Sequence, residues 1–236
     1  MKRFYALLIV ALFAFAPALS AQSASFYNAT RDAEKMIKKM PTHNYRRAYV
    51  GINDAHINWK DFDHEGEIMF PIKTGFTLGY LESRHIYDGL PLFVEYGANI
   101  QYLYGKEVLS EKFSEHFGEV CKANTFAINI PVNASLRLLF EDYKFAVTPY
   151  AGINFRLNLF GSLTHKGDKN SLYDKDFVYA FKRFQMGLNF GVAFTYDVYT
   201  LSIGRVADFS RIAKTGDNEI YKGRLGVTTI SVGYAF

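Results

Sequence analysis

From about residue 45 to the C-terminus, hydrophobic and polar residues alternate with a period of two, which indicates β-strands with two distinct faces. Residues 184–196 show the pattern most completely, with Phe, Met, Leu, Val and Tyr on one face and Gln, Gly, Asn, Ala and Thr on the other. Near residues 47–57 the pattern is weaker, because Asp54 and His56 interrupt the apolar face. The same division recurs in residues 72–80, 94–104, 126–138, 144–159, 199–204 and 229–236. The alternation therefore predicts eight strands.

The chemistry of the two faces favours a membrane barrel. A soluble barrel or sandwich would carry Lys, Glu, Asp and Arg on its polar face, whereas here that face is mostly Gly, Ala, Ser, Thr, Asn and Gln. Small residues and amides suit a narrow lumen, and an aromatic-rich face 9–11 residues long suits a strand that crosses a bilayer. Aromatics are 17% of the chain, yet the mean hydropathy is only −0.06, as alternation produces. A lipocalin-like soluble barrel is the alternative.

The connections support the same architecture, because they alternate in length. Residues 58–71, 105–122, 161–181 and 209–223 are long links, whereas 84–91, 140–143 and 197–198 are shorter. Long external loops and short periplasmic turns are typical of outer-membrane barrels. The sequence thus predicts an all-β fold: an eight-stranded antiparallel transmembrane β-barrel over residues 45–236, with short periplasmic turns, long external loops and both ends of the barrel in the periplasm.

The N-terminus has the features of an export signal. Lys2 and Arg3 precede an apolar run that ends at Pro17, and small residues follow. Residues 1–21 are therefore predicted to be a signal peptide, cleaved after Ser20 or Ala21, since the run is too short to be a comfortable membrane anchor. Residues 22–44 are predicted to be a periplasmic segment with a short helix, either loosely docked or acting as a plug or surface helix.

Charge and cysteine content exclude several functions. A formal net charge of +4, without a dense basic stripe, predicts no nucleic-acid partner. The single cysteine, Cys121, can form no internal disulfide. The histidines are dispersed, and the nearest approach to metal-ligand spacing is His56 and His64 with the acidic residues 61, 63 and 65, which we interpret as a solvated loop. We expect no metal site and no cofactor.

Short motifs resemble those of a known family. Residues Ile130-Pro131-Val132, and then Thr148-Pro149-Tyr150-Ala151-Gly152, resemble paired signatures of small Gram-negative outer-membrane β-barrels of the porin-like, OmpA/OmpX type. The final strand, with Tyr234 and Phe236, looks like the aromatic-terminated assembly signal of this class. The resemblance implies an outer-membrane location and the barrel-assembly machinery as a partner. Proline inside a ladder further predicts local bulges at Pro131 and Pro149.

Five charged residues are predicted to form a network in the lumen. They are Lys73, Glu95, Arg137, Lys144 and Arg156. Glu95 and Arg137 fall near the same periplasmic end of neighbouring strands, so a pairing between them is expected, since a buried charge needs a partner. The network either fills the lumen or gates a narrow conduit.

Three functions follow from this architecture. The first is a non-catalytic, monomeric barrel with a structural or surface-interaction role, whose loops contact outer-membrane lipids, lipopolysaccharide or partners. The second is a narrow porin for small solutes or ions. The third is an outer-membrane lipid-modifying enzyme; Ser83 and His85 are close in sequence, but they fall toward a predicted periplasmic turn and no nucleophile elbow surrounds them. The first is favoured, and no catalytic residue is predicted.

Overall fold

Alternating residues form long strands in a computed structural model that describes residues 43–58, 70–86, 90–108, 120–140, 144–174, 181–212 and 223–236. The strands are β1 (Tyr45–Asn58), β2 (Thr74–His85), β3 (Leu92–Val108), β4 (Val120–Leu136), β5 (Leu138–Phe140), β6 (Phe145–His165), β7 (Asp168–Ser171), β8 (Phe184–Tyr196), β9 (Tyr199–Asp208) and β10 (Arg224–Ala235). Within these ranges no helix is long and apolar enough to cross a membrane.

Eight of these strands close into an antiparallel ring. Neighbours in the ring follow the order β1, β2, β3, β4, β6, β8, β9 and β10, and β10 pairs with β1, with Val50 opposite Val232. The short β5 continues the pairing of β4 with β6, and β7 adds to β6 outside the ring. Closure gives each strand of the ring two neighbours, so that no edge is left. The eight-stranded barrel predicted from the sequence is therefore confirmed.

Two-residue turns set the register of two hairpins. Asp197 adopts a φ of 54° between β8 and β9, and Tyr196 stands opposite Tyr199. Lys166 and Gly167 have φ values of 50° and 87° between β6 and β7. Positive φ in such turns matches the twist of the strands that they join. We call the end of the barrel that contains the 197–198 turn the turn end, and the opposite end, where β6 meets β7, the loop end.

The bulges predicted at the two prolines are wrong. The pairing of β4 with β3 skips Pro131 but resumes in the same register, and the pairing of β6 with β4 and β5 skips Pro149 in the same way. Proline lacks an N–H, so it removes one ladder bond without inserting a residue. The shift in register lies instead at Leu159, which is the extra residue where Phe126 pairs with Phe160 and Ala127 pairs with Asn158.

The outward face of the ring is apolar over a broad band. Ile52 on β1 is 68% exposed and Leu188 on β8 is 55% exposed. Other large hydrophobic residues exposed on this face are Val50, Phe76, Leu78, Tyr80, Tyr96, Ile100, Ile130, Val132, Ile153, Phe194, Leu201, Ile203, Ile230 and Tyr234. A continuous apolar surface of this extent around a closed ladder is the lipid-facing surface of a transmembrane barrel. Asp54 and His56, which weaken the β1 pattern, also face outward, but toward the loop end.

Several predictions concern residues outside the described ranges. The signal peptide of residues 1–21 and most of the 22–44 segment, with its short helix, stay predictions. The loop cluster around His64 also lies outside the described residues, so the expectation of a solvated loop stays a prediction. Both ends of the barrel, near Tyr45 and Ala235, lie at the turn end.

Candidate functional site

The interior of the ring is the place where the strands bring polar side chains together. Inward positions alternate with the lipid-facing ones along every strand of the ring, and most of the inward residues are buried. From the turn end to the loop end they form four layers: a cluster around Glu95, a central polar cavity, a network around Arg156 and an apolar cap.

The Glu95 cluster lies at the turn end. Glu95 on β3 is 1% exposed, and its Oε1 accepts hydrogen bonds from Tyr45 Oη at 2.7 Å and from Ser83 Oγ at 3.1 Å. The guanidinium carbon of Arg137 lies 4.2 Å from the centroid of the Tyr45 ring. No ion pair joins Glu95 to Arg137, although the structure describes both residues; they share Tyr45 instead. The aromatic ring gives the cation a favourable neighbour, and the hydroxyl gives the carboxylate a donor.

Two residues of the predicted lumen network lie elsewhere. Lys73 precedes β2 at the loop end, where its side chain is 59% exposed and pairs with Glu107. Lys144 lies in the turn before β6 at the opposite end and is exposed. In the alternation of the sequence, both lysines fall on the same face as the inward residues of their strands. They lie beyond the ends of the barrel interior, however, and their side chains are exposed to solvent. Their assignment to a lumen network is corrected; Glu95, Arg137 and Arg156 are interior or partly interior.

The central polar cavity is small, and most of its lining is amide and hydroxyl side chains, together with the buried Arg47 and a few apolar residues. Its volume is about 60 Å³, which is room for a few water molecules. Asn154 Nδ2 donates to Asn129 Oδ1 at 3.2 Å, and Asn129 Nδ2 donates to Asn99 Oδ1 at 2.8 Å. The large side chain of Tyr150 fits in this layer because glycines stand opposite it: a Cβ at Gly204 would collide with its hydroxyl. The interior is therefore filled by its own side chains.

The Arg156 network crosses the lumen above the cavity. Arg156 on β6 donates from Nη1 to Asp208 Oδ2 at 2.7 Å, and both side chains are 1% exposed. Its Nη2 donates to Gln101 Oε1 at 3.2 Å, and its Nε donates to Asn129 Oδ1 at 3.1 Å. One guanidinium thus joins side chains from β3, β4, β6 and β9. The sequence identified Arg156 but missed Asp208, because the alternation predicts that strand only as far as residue 204.

An apolar cap covers the loop end of the lumen. It comprises Ala55, Ile57, Phe70, Ile72, Leu103, Cys121, Ala123, Leu163, Leu172, Tyr173, Phe181, Ile212, Leu225 and Val227, all buried. Phe181 packs against Phe70, with ring centroids 5.0 Å apart, and its N–H bonds to the carbonyl of Leu172. Six cap residues lie outside the strands, in the described parts of the segments that connect them: Phe70, Ile72, Leu172, Tyr173, Phe181 and Ile212. This layer was not foreseen from the sequence.

Tyr173 supplies the polar contact at the rim of the cap. Its hydroxyl lies 2.6 Å from Thr125 Oγ1, and its ring meets Phe181 edge-on with a centroid distance of 6.5 Å. Burial raises the pKa of Tyr173 to about 12, because the charged phenolate would lose its hydration inside the cap. The residue lies beyond β7, outside the strands of the ring.

Ser83 and His85 make separate contacts in the described structure. Ser83 Oγ donates to the Glu95 carboxylate, whereas the His85 ring packs edge-on against Phe93 with a centroid distance of 5.3 Å. Among the described residues, no group of three or more His, Cys, Asp or Glu is placed to hold a metal ion. The interior arrangement is one of mutual hydrogen bonding and packing.

The predicted assembly residues lie on the outward face at the turn end. Tyr234 and Phe236 are both exposed, and their ring centroids are 6.2 Å apart. The backbones of Phe236 and Arg46 exchange two hydrogen bonds of 2.9 Å, which holds the C-terminus in the ladder with β1. An aromatic girdle at this level is typical of a membrane interface. Recognition of these residues by the assembly machinery stays a prediction.

Comparisons with known proteins find structural neighbours only. No family model matches the chain, and no curated protein matches its sequence. The structure is similar to that of Ail, the attachment invasion locus protein of Yersinia pestis, with 9% identity, 82% of this chain and 99% of that chain covered, and a TM-score of 0.45. The structure is also similar to that of Neisserial surface protein A, with 15% sequence identity and a TM-score of 0.44; the match covers 82% of this chain and 97% of that chain. A major outer membrane protein from Thermus thermophilus is similar with 12% sequence identity and a TM-score of 0.46; the match covers 81% of this chain and 99% of that chain.

The assignment of the fold rests on the ring itself. Eight antiparallel strands close on one another, their outward residues form an apolar band, and many of their inward polar residues are buried and hydrogen-bond one another. These are the physical requirements for a sheet that spans a bilayer. The protein therefore has the fold of the small outer-membrane β-barrels, with an outward surface that suits the interior of a membrane.

Proposed function

We propose that this protein is a non-catalytic outer-membrane β-barrel with a structural or surface-interaction role, and that its lumen does not conduct. The proposal is carried by one observation: Arg156 and Asp208 bridge the lumen directly beneath a buried apolar cap. A solute that moved through the barrel would have to displace a buried ion pair, its amide partners and the cap together.

The energetic argument favours a filled interior. A buried arginine is stable only while its hydrogen bonds and its counter-ion remain in place. Arg156 uses all three of its guanidinium nitrogens for such bonds. The remaining central space of about 60 Å³ is too small for a continuous aqueous channel, as expected for eight strands. The alternative of a narrow porin is therefore less favoured.

Hydrogen bonding also supports the non-catalytic part of the proposal. Ser83 is two residues from His85 in the sequence, and its hydroxyl donates a hydrogen bond to Glu95. A serine nucleophile requires a base that accepts its proton and an orienting group behind that base. The Glu95 carboxylate is shared with Tyr45, as expected for a structural acceptor.

Planar bilayer recording of the purified protein tests the proposal. We expect no steady conductance steps from the wild-type chain, and none from Arg156→Gln or Glu95→Gln at a similar level of insertion. Stable steps in the wild type, with amplitudes that change in Arg156→Gln while its resistance to unfolding does not, would establish the narrow porin in place of the closed barrel.

A further inference from the structure

Arg47 is a buried cation inside the barrel. It occupies an inward position of β1 and is 5% exposed. Its Nε is buried without a hydrogen-bond partner, and within the described ranges no carboxylate forms an ion pair with its guanidinium. The guanidinium carbon lies 5.9 Å from the centroid of the Tyr49 ring. A buried cation in this position has lost its hydration without gaining a counter-ion, which is costly.

The charges inside the ring do not balance at the turn end. Nearer the loop end, Arg156 is neutralised by Asp208. At the turn end one carboxylate, that of Glu95, is present with two arginines, Arg47 and Arg137. Glu95 forms an ion pair with neither arginine, although all three residues lie in the described ranges, and its Oε2 is buried without a partner. This half of the interior therefore carries one positive charge more than it carries negative charges.

The surplus cation lines the central polar cavity. None of the described residues that line this cavity is acidic, and most of the others bear an amide or a hydroxyl group. Each of these groups has an N–H or O–H that can donate a hydrogen bond. The Tyr150 hydroxyl reaches Gly204 and Gly191, because a Cβ would lie 2.1 Å from it at Gly204 and 2.6 Å from it at Gly191. The cavity thus combines one cation with several neutral donors.

The size and charge of the cavity select among possible occupants. Its volume of about 60 Å³ holds a monatomic anion together with a water molecule, but not a bulky organic anion. Water would offer Arg47 only a dipole, whereas an anion offers a full counter-charge, and this difference is large where the surroundings are weakly polar. A metal cation would meet the unpaired charge of Arg47 without a carboxylate to bind it.

We propose that the central polar cavity binds a small monovalent anion, of the size of chloride, against the Arg47 guanidinium. Arg47 supplies the counter-charge, and the Tyr150 hydroxyl and the amides of the lining donate hydrogen bonds to the ion. The Arg156 network and the apolar cap close the loop end, so the ion enters and leaves at the turn end, where Arg137 is partly exposed. The cavity is a binding site with one entrance.

Bromide is the probe, because it has nearly the size of chloride and is located by its anomalous X-ray scattering. Crystals of the purified protein grown in sodium bromide should show an anomalous peak in the cavity, within hydrogen-bonding distance of Arg47. Arg47→Gln should lack this peak. The matched control is Arg46→Gln, since Arg46 is the next residue on β1 and its side chain is 54% exposed on the outward face. This control should keep the peak.

Thermal unfolding of the same proteins in detergent, at constant ionic strength, measures the affinity. Replacing sodium gluconate by sodium bromide should raise the unfolding temperature of the wild type, because an ion that binds only the folded state stabilises it. Loss of a charged donor should weaken bromide binding by at least about 10-fold in Arg47→Gln. Arg47→Lys keeps the charge and should keep most of the bromide dependence, and Arg46→Gln should keep all of it.

Three results would overturn the anion site. The wild-type cavity could contain water alone, with bromide confined to the outer surface. The anomalous peak could persist in Arg47→Gln, or Arg47→Gln could depend on bromide as strongly as the wild type does. Conductance steps of the wild type in planar bilayers, together with a bromide peak beside Arg47, would instead contradict the closed lumen proposed above and support the anion site.

Discussion

Arg156 and Asp208 are 52 residues apart in the sequence and form a 2.7 Å hydrogen-bonded ion pair within the barrel. Both side chains are 1% exposed, so neither charge can return to water while the barrel is intact. Asp208 Oδ1 has no protein partner, which makes the carboxylate depend on this one arginine. The pair is therefore a point where a single substitution should have a large effect.

We expect Asp208→Ala to destabilise the barrel by about 3–5 kcal/mol, because it leaves the Arg156 cation buried and unpaired. The double variant Arg156→Met/Asp208→Ala should lose clearly less than the sum of the two single changes. Urea unfolding in phospholipid vesicles gives these free energies. As a control, Lys73→Met breaks an exposed ion pair and should cost less than about 1 kcal/mol. Additive effects of the two buried substitutions would show that the pair is not coupled.

Tyr45 should couple Glu95 to Arg137. Tyr45→Phe removes the hydroxyl that donates to Glu95 but keeps the ring beneath Arg137, and should cost about 1–3 kcal/mol. Tyr45→Leu also removes the cation–π contact and should cost about 0.5–2 kcal/mol more. The same unfolding assay distinguishes the two changes. Equal stability of the Phe variant and the wild type would contradict the role of the hydroxyl.

The lipid and lumen faces of β8 should differ sharply in what they tolerate. Leu188→Arg places a cation on the exposed apolar surface, at a cost of roughly 2–4 kcal/mol near the middle of the membrane. Asn189→Ser faces the interior and loses only the 2.9 Å hydrogen bond to Asn133, so it should assemble nearly as well as the wild type. The fraction of heat-modifiable protein in the outer membrane measures assembly. Equal tolerance of both changes would mean that the faces are assigned backwards.

Ionisation of Tyr173 should loosen the cap at high pH. The pKa is raised to about 12 from 10.0 by burial, so the folded state holds this proton more tightly than the unfolded chain does. Stability from this group is therefore present below pH 10 and is lost as the pH rises toward 12. The tyrosinate absorbance of the wild type minus that of Tyr173→Phe isolates the group. A difference titration centred near the ordinary tyrosine value would show that Tyr173 is not buried in the cap.

The strands could be predicted from the sequence because the faces carry local information. The strand predicted over residues 184–196 is β8, with the same bounds. The prediction at the prolines was wrong because a missing N–H was expected to produce a bulge. At Pro131 the ladder instead lacks one hydrogen bond and keeps its register. The extra residue at Leu159 has no comparable signal, because the residues around it, Asn158 and Phe160, include neither a proline nor a glycine.

The interior contacts were harder to predict, because they depend on register around the ring. Asp208 on β9 stands opposite Gly187 on β8. Gln185, two residues before Gly187 on β8, stands opposite Arg156 on β6. The nearness of Arg156 and Asp208 can be worked out only by counting residue pairs from the 197–198 turn along the β8–β9 pairing and then along the β6–β8 pairing. Glu95 and Arg137 were placed at the same end correctly, but Tyr45 lies on a strand with a weak pattern and its position between them has no local signal.

Fractionation of cells that express the full chain, followed by gel electrophoresis with and without heating, tests the account most directly. A closed barrel keeps its hydrogen-bonded ladder in detergent until it is heated. We predict that the protein is recovered with the outer membrane and migrates differently before and after heating. Recovery as a soluble periplasmic protein, with the same migration in both lanes, would contradict the transmembrane barrel.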